Sequence, residues 1–344
     1  MEKEIEEQSS IIEKIINRYV INYCVIMDIP LEIKRVSIIA SGSSYNAGMY
    51  GKYFFENIAK IPADINYASE VVLSGFDNFD KDTLYILLSQ SGLSVDTVEA
   101  MDRIKKAGVK VLTITNNLSS LMFGNADYPF FIDAGEEKAI AATKTFSATV
   151  AMLYLIALKA AQNKHVDITK EIGEIYNIKN NIDSCIKNID NLDIAAKLLS
   201  KQNGFAIFGS GYNYALALET ALKIKETSYI NTSVYPCGDF VHGHFALLNN
   251  TKTFLTFMTK ETSEYELNVL KKVLRTYKTK SIVISDVYED YDCDILVKFD
   301  KGQSKIANII NMIVVSQLLA LNIAKKLKRN VDKPTGLVKI VESN

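Results

Sequence analysis

The sequence predicts an α/β protein built from two tandem units, each a doubly wound parallel sheet flanked by helices. Short apolar runs rich in β-branched residues alternate with helix-like segments, which is typical of strands buried on both faces of a parallel sheet. The stretch GSSYN at 42–46 returns as GSGYN at 209–213, each time after an apolar run. Two such units also fit a chain of 344 residues, since a domain commonly takes about 100–200 residues.

The predicted division between the units lies in a polar break. Residues 144–202 read mostly as helix, but AQNKHVDIT at 161–169 interrupts them. We therefore expect one unit with an N-terminal helix at 1–165, and a second unit with a C-terminal tail at 166–344.

Within each unit, the strands are predicted where apolar runs stop at small or polar residues. These runs are 36–41, 83–89, 110–116 and 128–133 in the first unit, and 204–210, 253–258, 280–286 and 294–299 in the second. Helices are predicted at 45–59, 95–107, 213–228, 262–277 and 305–326. Ligands of such sheets bind beyond the carboxyl ends of the strands.

Composition narrows the classes of function. The chain is 48% hydrophobic and 23% charged with a formal net charge of −1, which argues against a nucleic-acid partner. The N-terminus is acidic and then amphipathic, unlike a secretory signal, so we expect a cytoplasmic protein. The apolar runs at 83–88 and 312–321 are too short or interrupted to span a bilayer, so no membrane association is expected. Four scattered cysteines and three histidines give no ligand spacing, so neither metal nor cofactor is expected.

A serine-rich turn, LSQSGLSVDT at 88–97, follows the second predicted strand. The strand ends near Ser89 and a helix begins near Ser94, so backbone N–H groups and the positive helix end attract an anion there. The hydroxyls of Ser89, Ser91 and Ser94 and the amide of Gln90 can bond phosphate oxygens. The alternative interpretation is that Ser94 caps the helix and the other serines fill a turn. The lysine of a nucleotide P-loop is missing from this turn.

Seven motifs in order resemble one enzyme family. They are GSSYNAG (42–48), ASE (68–70), LSQSGLSVDT (88–97), AATKTF (141–146), LETALKIKETSYI (218–230), GDFVHG (238–243) and NVDKPTGLVKIVE (330–342). Together they resemble the isomerase portion of glucosamine-6-phosphate synthases, which consists of two sugar isomerase (SIS) domains. The resemblance extends over nearly the whole chain.

The resemblance implies a small-molecule sugar phosphate as ligand. Its serine turn holds the 6-phosphate of a hexose, and the residues that match its binding positions are Ser43, Ser44, Ser89, Gln90, Ser91 and Ser94. The AATKTF segment would place Ala142, Thr143 and Lys144 near the phosphate or the sugar hydroxyls, while a plain helix start is the alternative interpretation.

The resemblance also implies three catalytic residues. Glu226 matches the base that moves a proton between C1 and C2, and His242 matches the group that opens the pyranose ring. In the family this histidine reaches the site from a neighbouring subunit, so a homodimer or larger oligomer with a shared active site is expected. Lys339 matches a lysine that forms a Schiff base with the open-chain ketose.

The residue types suit this chemistry independently of the family. Aldose–ketose isomerisation needs a base that takes a proton and returns it to the adjacent carbon, which one carboxylate can do. Glu219, Lys223 and Glu226 are spaced by four and three residues and so share one helix face, where Glu219 and Lys223 would orient the substrate. The alternative interpretation of this face is an exposed ladder of salt bridges.

Two departures from the family shape the expected reaction. The chain reaches its first predicted strand by residue 36, with no room for the synthases' glutamine-hydrolysing domain, so we expect no ammonia generator and a glucosamine-6-phosphate deaminase that yields fructose 6-phosphate. His244 stands where the family usually has proline. The alternatives are a deglycase of 6-phosphorylated fructosamines such as fructoselysine 6-phosphate, and a non-catalytic sensor of sugar phosphates.

Overall fold

The computed structural model describes residues 1–75, 77–259, 264–287 and 291–339, excluding the side chains of residues 264 and 265. Its strands are β1 (Val20–Ile21), β2 (Cys24–Val25), β3 (Arg35–Ala40), β4 (Ala63–Tyr67), β5 (Thr83–Leu88), β6 (Val111–Thr115), β7 (Tyr128–Phe131), β8 (Ile189–Asp190), β9 (Gly204–Gly209), β10 (Asn231–Pro236), β11 (Thr253–Met258), β12 (Lys280–Ser285) and β13 (Ile295–Phe299). Its α-helices are α1 (Glu2–Glu6), α2 (Gln8–Tyr19), α3 (Gly42–Phe54), α4 (Ala68–Leu73), α5 (Val95–Lys106), α6 (Leu121–Asn125), α7 (Lys144–Asn163), α8 (Thr169–Ile175), α9 (Ile178–Lys187), α10 (Leu192–Leu199), α11 (Tyr212–Ser228), α12 (Cys237–Phe240), α13 (Glu264–Thr276) and α14 (Lys305–Lys326). A π-helical turn (Phe55–Ala59) follows α3, and a 3-10 helix (His244–Asn249) comes after α12.

Every predicted strand is present, with ends shifted by at most two residues, as β3, β5, β6, β7, β9, β11, β12 and β13. The predicted helices appear as α3 with its π-helical turn, α5, α11, α13 and α14. Residues 262 and 263 of the predicted 262–277 helix lie outside the described residues. The α/β class with parallel sheets is thereby confirmed.

The chain forms two compact units that exchange short segments. The N-terminal unit contains Glu7–Lys138, Ala142–Lys179 and Val338–Asn344, and the C-terminal unit contains the rest of the chain. The chain passes between them at Lys179–Asn180, near the start of α9. Tyr176 still belongs to the N-terminal unit, where its ring packs against that of Tyr23 with 5.6 Å between centroids. This passage lies further along the chain than 165/166, and the domain boundary at 165/166 stays a prediction.

The N-terminal unit has a five-stranded sheet, entirely parallel, in the order β4-β3-β5-β6-β7. On one face, α4 and α5 cover a cluster that includes Leu87, Met101 and Ile104. Helices α3 and α7 pack together elsewhere in the unit, and Phe54 of α3 meets Tyr154 of α7 edge to face at 5.2 Å. Because all five strands run in the same direction, the segments that follow them all lie at the carboxyl end of the sheet.

The C-terminal unit has a six-stranded sheet in the order β10-β9-β11-β12-β13-β8. Its strands are parallel except β8, which pairs antiparallel with β13. In the core, the ring of Phe208 stacks on that of Phe254 and on that of Phe240 from α12, and α13 packs on the same cluster. Helix α11 packs against α14.

Among the described residues, α7 and α14 are long and apolar enough to cross a membrane, with mean hydropathies of 1.3 and 1.8. The expectation that the 312–321 run is too short to span a bilayer is corrected, because the run lies within α14, the helix predicted at 305–326. In both helices 89% of the apolar window is buried inside the protein, which accounts for their composition, because a helix that is apolar all round can be a core helix.

Candidate active site

The serine turn connects β5 to α5 and brings three hydroxyl groups together. The Oγ of Ser89 lies 3.0 Å from that of Ser94 and 3.5 Å from that of Ser91. Ser94 occupies the N-cap position of α5, but its side chain makes no capping bond, so the alternative interpretation of Ser94 as a helix cap does not describe its hydroxyl here. The first N–H groups of α5 have no carbonyl partner within the helix. Hydroxyl and amide donors therefore collect at one point, as an anion site requires.

Hydrogen bonds within the serine turn, and from the loop that follows β6, stabilise its conformation. The N–H groups of Gly92 and Leu93 donate to the hydroxyls of Ser89 and Ser91 at 3.1 and 3.2 Å. The Gln90 carbonyl accepts from the N–H of Asn116 at 2.9 Å. Gly92 has φ +65°, a left-handed conformation that glycine adopts without strain.

Ser43 and Ser44 lie in the first turn of α3, directly after β3, and both are partly buried. Strand β3 is the neighbour of β5 in the parallel sheet. These two serines and the serine turn therefore follow adjacent strands and lie at the carboxyl end of the sheet, where parallel α/β sheets bind ligands.

The AATKTF segment starts α7, and Glu137 already accepts hydrogen bonds from several of its donors. Thr143 is fully buried, and its backbone N–H donates to Glu137 at 2.9 Å. The N–H of Thr145 donates to the same oxygen at 3.1 Å, and its hydroxyl donates to the other at 2.7 Å. Ala142 is partly buried. A bound sugar phosphate would thus find the Thr143 amide already engaged by the protein's own carboxylate.

Lys339 lies in the same cluster. Its Nζ is 2.6 Å from Oε2 of Glu137, whose side chain is fully buried. Burial alone would raise the pKa of Glu137, but the Lys339 ammonium and the donors of α7 hold that pKa below its usual range. Sequence reasoning missed Glu137, because nothing in GEEKAIAATK distinguishes this buried carboxylate from its exposed neighbour Glu136.

On α11, the predicted face of three charged residues is present but mostly buried. Lys223 and Glu219 are 1% and 0% exposed, whereas Glu226 is 20% exposed. The Lys223 Nζ lies 2.5 Å from Oε2 of Glu226 and 3.4 Å from Oε1 of Glu219. The expected alternative, an exposed ladder of salt bridges, is wrong for this face. Of the two carboxylates, Glu226 is the one that a substrate can reach.

The two histidines of the GDFVHGH stretch have different surroundings. His242 is exposed on the turn after α12, and its backbone N–H donates to the Asp239 carbonyl at 2.9 Å. His244, where the family usually has proline, places Nε2 3.2 Å from Oδ2 of Asp239 and its ring 4.2 Å from that of Tyr235. The extra histidine is therefore not simply solvated, because a carboxylate and an aromatic ring both contact it.

Within the described part of the chain, His, Cys, Asp and Glu side chains form no group of three or more that could hold a metal ion. The chemistry to be explained is consequently that of the serine turn, the α11 face, the histidine turn and the Glu137–Lys339 pair.

Comparison with known proteins identifies the family of this scaffold. Residues 31–159 and 198–292 match the SIS domain. The chain belongs to the SIS domain family. The first match begins just before β3 and the second just before β9. Each of the two large sheets therefore belongs to an SIS domain.

The predicted resemblance to the isomerase portion of the synthases is confirmed. Over 99% of its length the chain is 32% identical to a glutamine–fructose-6-phosphate aminotransferase [isomerizing] of Campylobacter jejuni. It spans only 58% of that relative. The C-terminal domain of glucosamine-fructose-6-phosphate aminotransferase from Francisella tularensis superposes with a TM-score of 0.89 at 29% identity, over 96% of this chain and 97% of that one.

A further solved structure shares the fold. Glucosamine-6-phosphate deaminase from Thermotoga maritima superposes with a TM-score of 0.75 over 99% of both chains, at 24% identity. This likeness concerns the double-SIS architecture alone.

Proposed function

We propose that this protein is a cytoplasmic phosphosugar isomerase that acts on an amino-sugar 6-phosphate and converts glucosamine 6-phosphate to fructose 6-phosphate with release of ammonia. The observation that carries the proposal is the state of Glu226. This carboxylate is accessible, yet its position is fixed by a buried ammonium at 2.5 Å. A base that must return a proton to the neighbouring carbon needs both properties.

The serine turn binds the phosphate in this proposal. Its three converging hydroxyls and the start of α5 suit a dianion. Because the phosphate does not react, its contacts stabilise the ground state and the transition state alike.

The chemical step begins with opening of the sugar ring, the role proposed for His242. Glu226 then removes the proton from C2 of the open aldose, giving an enolamine. The C1 carbonyl oxygen gains a proton as the enolamine forms. Return of the carbon-bound proton to C1, with loss of one proton from the amine nitrogen, gives a C2 imine, and water hydrolyses this imine to the C2 ketone and ammonia. No external redox partner is needed, since oxidation at C2 balances reduction at C1.

The exposure of His242 supports a shared active site in a homodimer or larger oligomer. An exposed histidine on a turn can act in the site of a second copy, as the family resemblance implies. Mixing inactive His242→Ala and Glu226→Gln proteins would then restore part of the activity through hybrid sites. Absence of recovery, with subunit exchange demonstrated, would show that the two residues act within one chain.

The decisive assay measures ammonia and fructose 6-phosphate formed from glucosamine 6-phosphate without glutamine. Glu226→Gln keeps the size of the side chain but removes the base, so turnover should fall by about 10²-fold or more while the substrate still binds. Lys225→Gln, an exposed neighbour on α11, is the matched control and should retain turnover.

Other substrates test the reaction class. Fructoselysine 6-phosphate and related 6-phosphorylated fructosamines belong in the same panel, with amine release as the readout. Preferential turnover of these compounds would replace deamination by deglycation. Binding without turnover of any phosphosugar would refute the enzyme proposal and favour a sensor.

A further inference from the structure

Glu137 is a fully buried carboxylate with no part in the proton transfer described above. It lies between β7 and α7, and the start of α7 surrounds it with donors from Thr143 and Thr145. Lys144 of the same helix points its ammonium elsewhere, to Glu7 at 2.8 Å. The positive charge that faces Glu137 comes instead from the C-terminal segment, through Lys339 at 2.6 Å.

Lys339 is far from Glu137 in sequence and 24% exposed. Its position therefore depends on this contact more than on its own local structure, which has no helix or strand between 329 and 339. A carboxylate that is already held by three donors cannot swing away, so it offers the ammonium a fixed partner. Charge-assisted hydrogen bonds of this kind are about twice as strong as neutral ones.

We propose that Glu137 is a positioning residue that fixes Lys339 at the start of α7 and restrains the reactivity of its amine until substrate displaces the ion pair. This inference rests on the proposed function together with the Schiff-base role that the family resemblance implies for Lys339. To bond a ketose, the ammonium must leave Glu137 and give its proton to water. The neutral amine then adds to the C2 carbonyl carbon, and the carbonyl oxygen departs as water when the C=N bond forms.

The restraint can be measured without any enzymatic activity. The full chain is treated briefly with acetic anhydride, and acetylation of Lys339 is compared with that of exposed Lys333 by mass spectrometry. Loss of a hydrogen bond to a charged group corresponds to about a tenfold effect or more, so Glu137→Gln should raise the relative acetylation of Lys339 by at least about tenfold. Glu136→Gln, which changes an exposed neighbour, should leave it unchanged.

Glu137→Asp covers the case in which Glu137→Gln does not fold. The shorter side chain keeps the charge but withdraws it from Lys339, so acetylation should rise by a smaller factor. If Lys339 in either folded variant is acetylated no faster than in the unaltered protein, the proposal is overturned.

A second arm separates this inference from the proposed function. Borohydride reduction in the presence of fructose 6-phosphate should trap the sugar on Lys339, and faster in Glu137→Gln than in the unaltered protein. Faster acetylation with no trapped sugar in any variant would support the positioning role of Glu137 and refute the Schiff-base role of Lys339. Trapping at equal rates, with acetylation also equal, would refute the positioning role and leave the Schiff base supported.

Discussion

Replacement of Lys223 by methionine tests whether the buried charges of α11 are matched to one another. The substitution keeps a similar volume but removes the ammonium that lies 3.4 Å from Glu219 and 2.5 Å from Glu226. Glu226 is 20% exposed, so water can replace its lost partner. Glu219 is 0% exposed, so the energetic cost falls mainly there.

The expected loss of unfolding free energy is about 3–5 kcal/mol, the range for breaking a buried ion pair from one side. Such a loss lowers the midpoint of thermal unfolding by on the order of 10 °C. Lys225→Met, on the exposed side of the same helix, should change the stability by about 0.5 kcal/mol or less. Differential scanning calorimetry of the two variants gives the comparison.

The double variant Glu219→Met with Lys223→Met identifies the cause. If the cost comes from an unpaired buried carboxylate, replacing both partners with apolar side chains should restore most of the lost stability. A double variant as unstable as Lys223→Met, or a Lys223→Met melting midpoint equal to that of Lys225→Met, would refute the reasoning, because the loss would then lie in packing or be absent.

Three further predictions concern the N-terminal unit. Ser91→Ala should raise KM strongly with a smaller effect on kcat, because phosphate contacts act on ground and transition states alike; steady-state kinetics with unchanged KM would count against the phosphate site. Gly92→Ala should lower the free energy of unfolding by about 1–3 kcal/mol in denaturant titrations, because alanine is strained at the φ of +65° found at this position. The added Cβ would also overlap Ser120 Oγ and lie 2.9 Å from Thr115 Oγ1. An unchanged free energy of unfolding would mean that the turn relaxes. The pKa of Glu137 is lowered in the folded state. The ionised Glu137 carboxylate therefore contributes its full share to the free energy of unfolding above its unfolded-state pKa of about 4.3, and this contribution is lost as the pH falls through the folded-state pKa. The stability difference between the unaltered protein and Glu137→Gln should therefore shrink on acidification, and a constant difference from about pH 6 to about pH 3 would contradict the lowered pKa.

The central strands and the edge strand β7 could be predicted from the sequence, whereas the edge strands β4, β8 and β10 could not. β3 (RVSIIA) and β5 (TLYILL) are mostly apolar and are buried except at Arg35, because each lies between two neighbouring strands. β4 (ADINY) and β10 (NTSVYP) lie at sheet edges and are polar and partly exposed, so their composition did not suggest strands. The two-residue β8 is too short for any periodicity to register.

For the charged face of α11, the sequence predicted which residues lie together but not which of them are buried. Spacing correctly placed Glu219, Lys223 and Glu226 together on one helix face. It could not show that two of them are buried, because burial depends on how α11 packs against segments distant in sequence. The folded chain leaves Glu226 accessible and encloses Glu219.

By itself, the sequence determined the features that depend on near neighbours along the chain: the buried runs of the central strands, the serine turn between β5 and α5, and the shared face of α11. Tertiary structure alone decided which carboxylate is exposed, which strands close the sheet edges, and that Glu137 pairs with Lys339. The physical reason is that burial and charge pairing depend on segments distant in sequence. Lys339 lies in a stretch, 329–339, without helix or strand, and the folded chain brings the buried carboxylate of Glu137 to it.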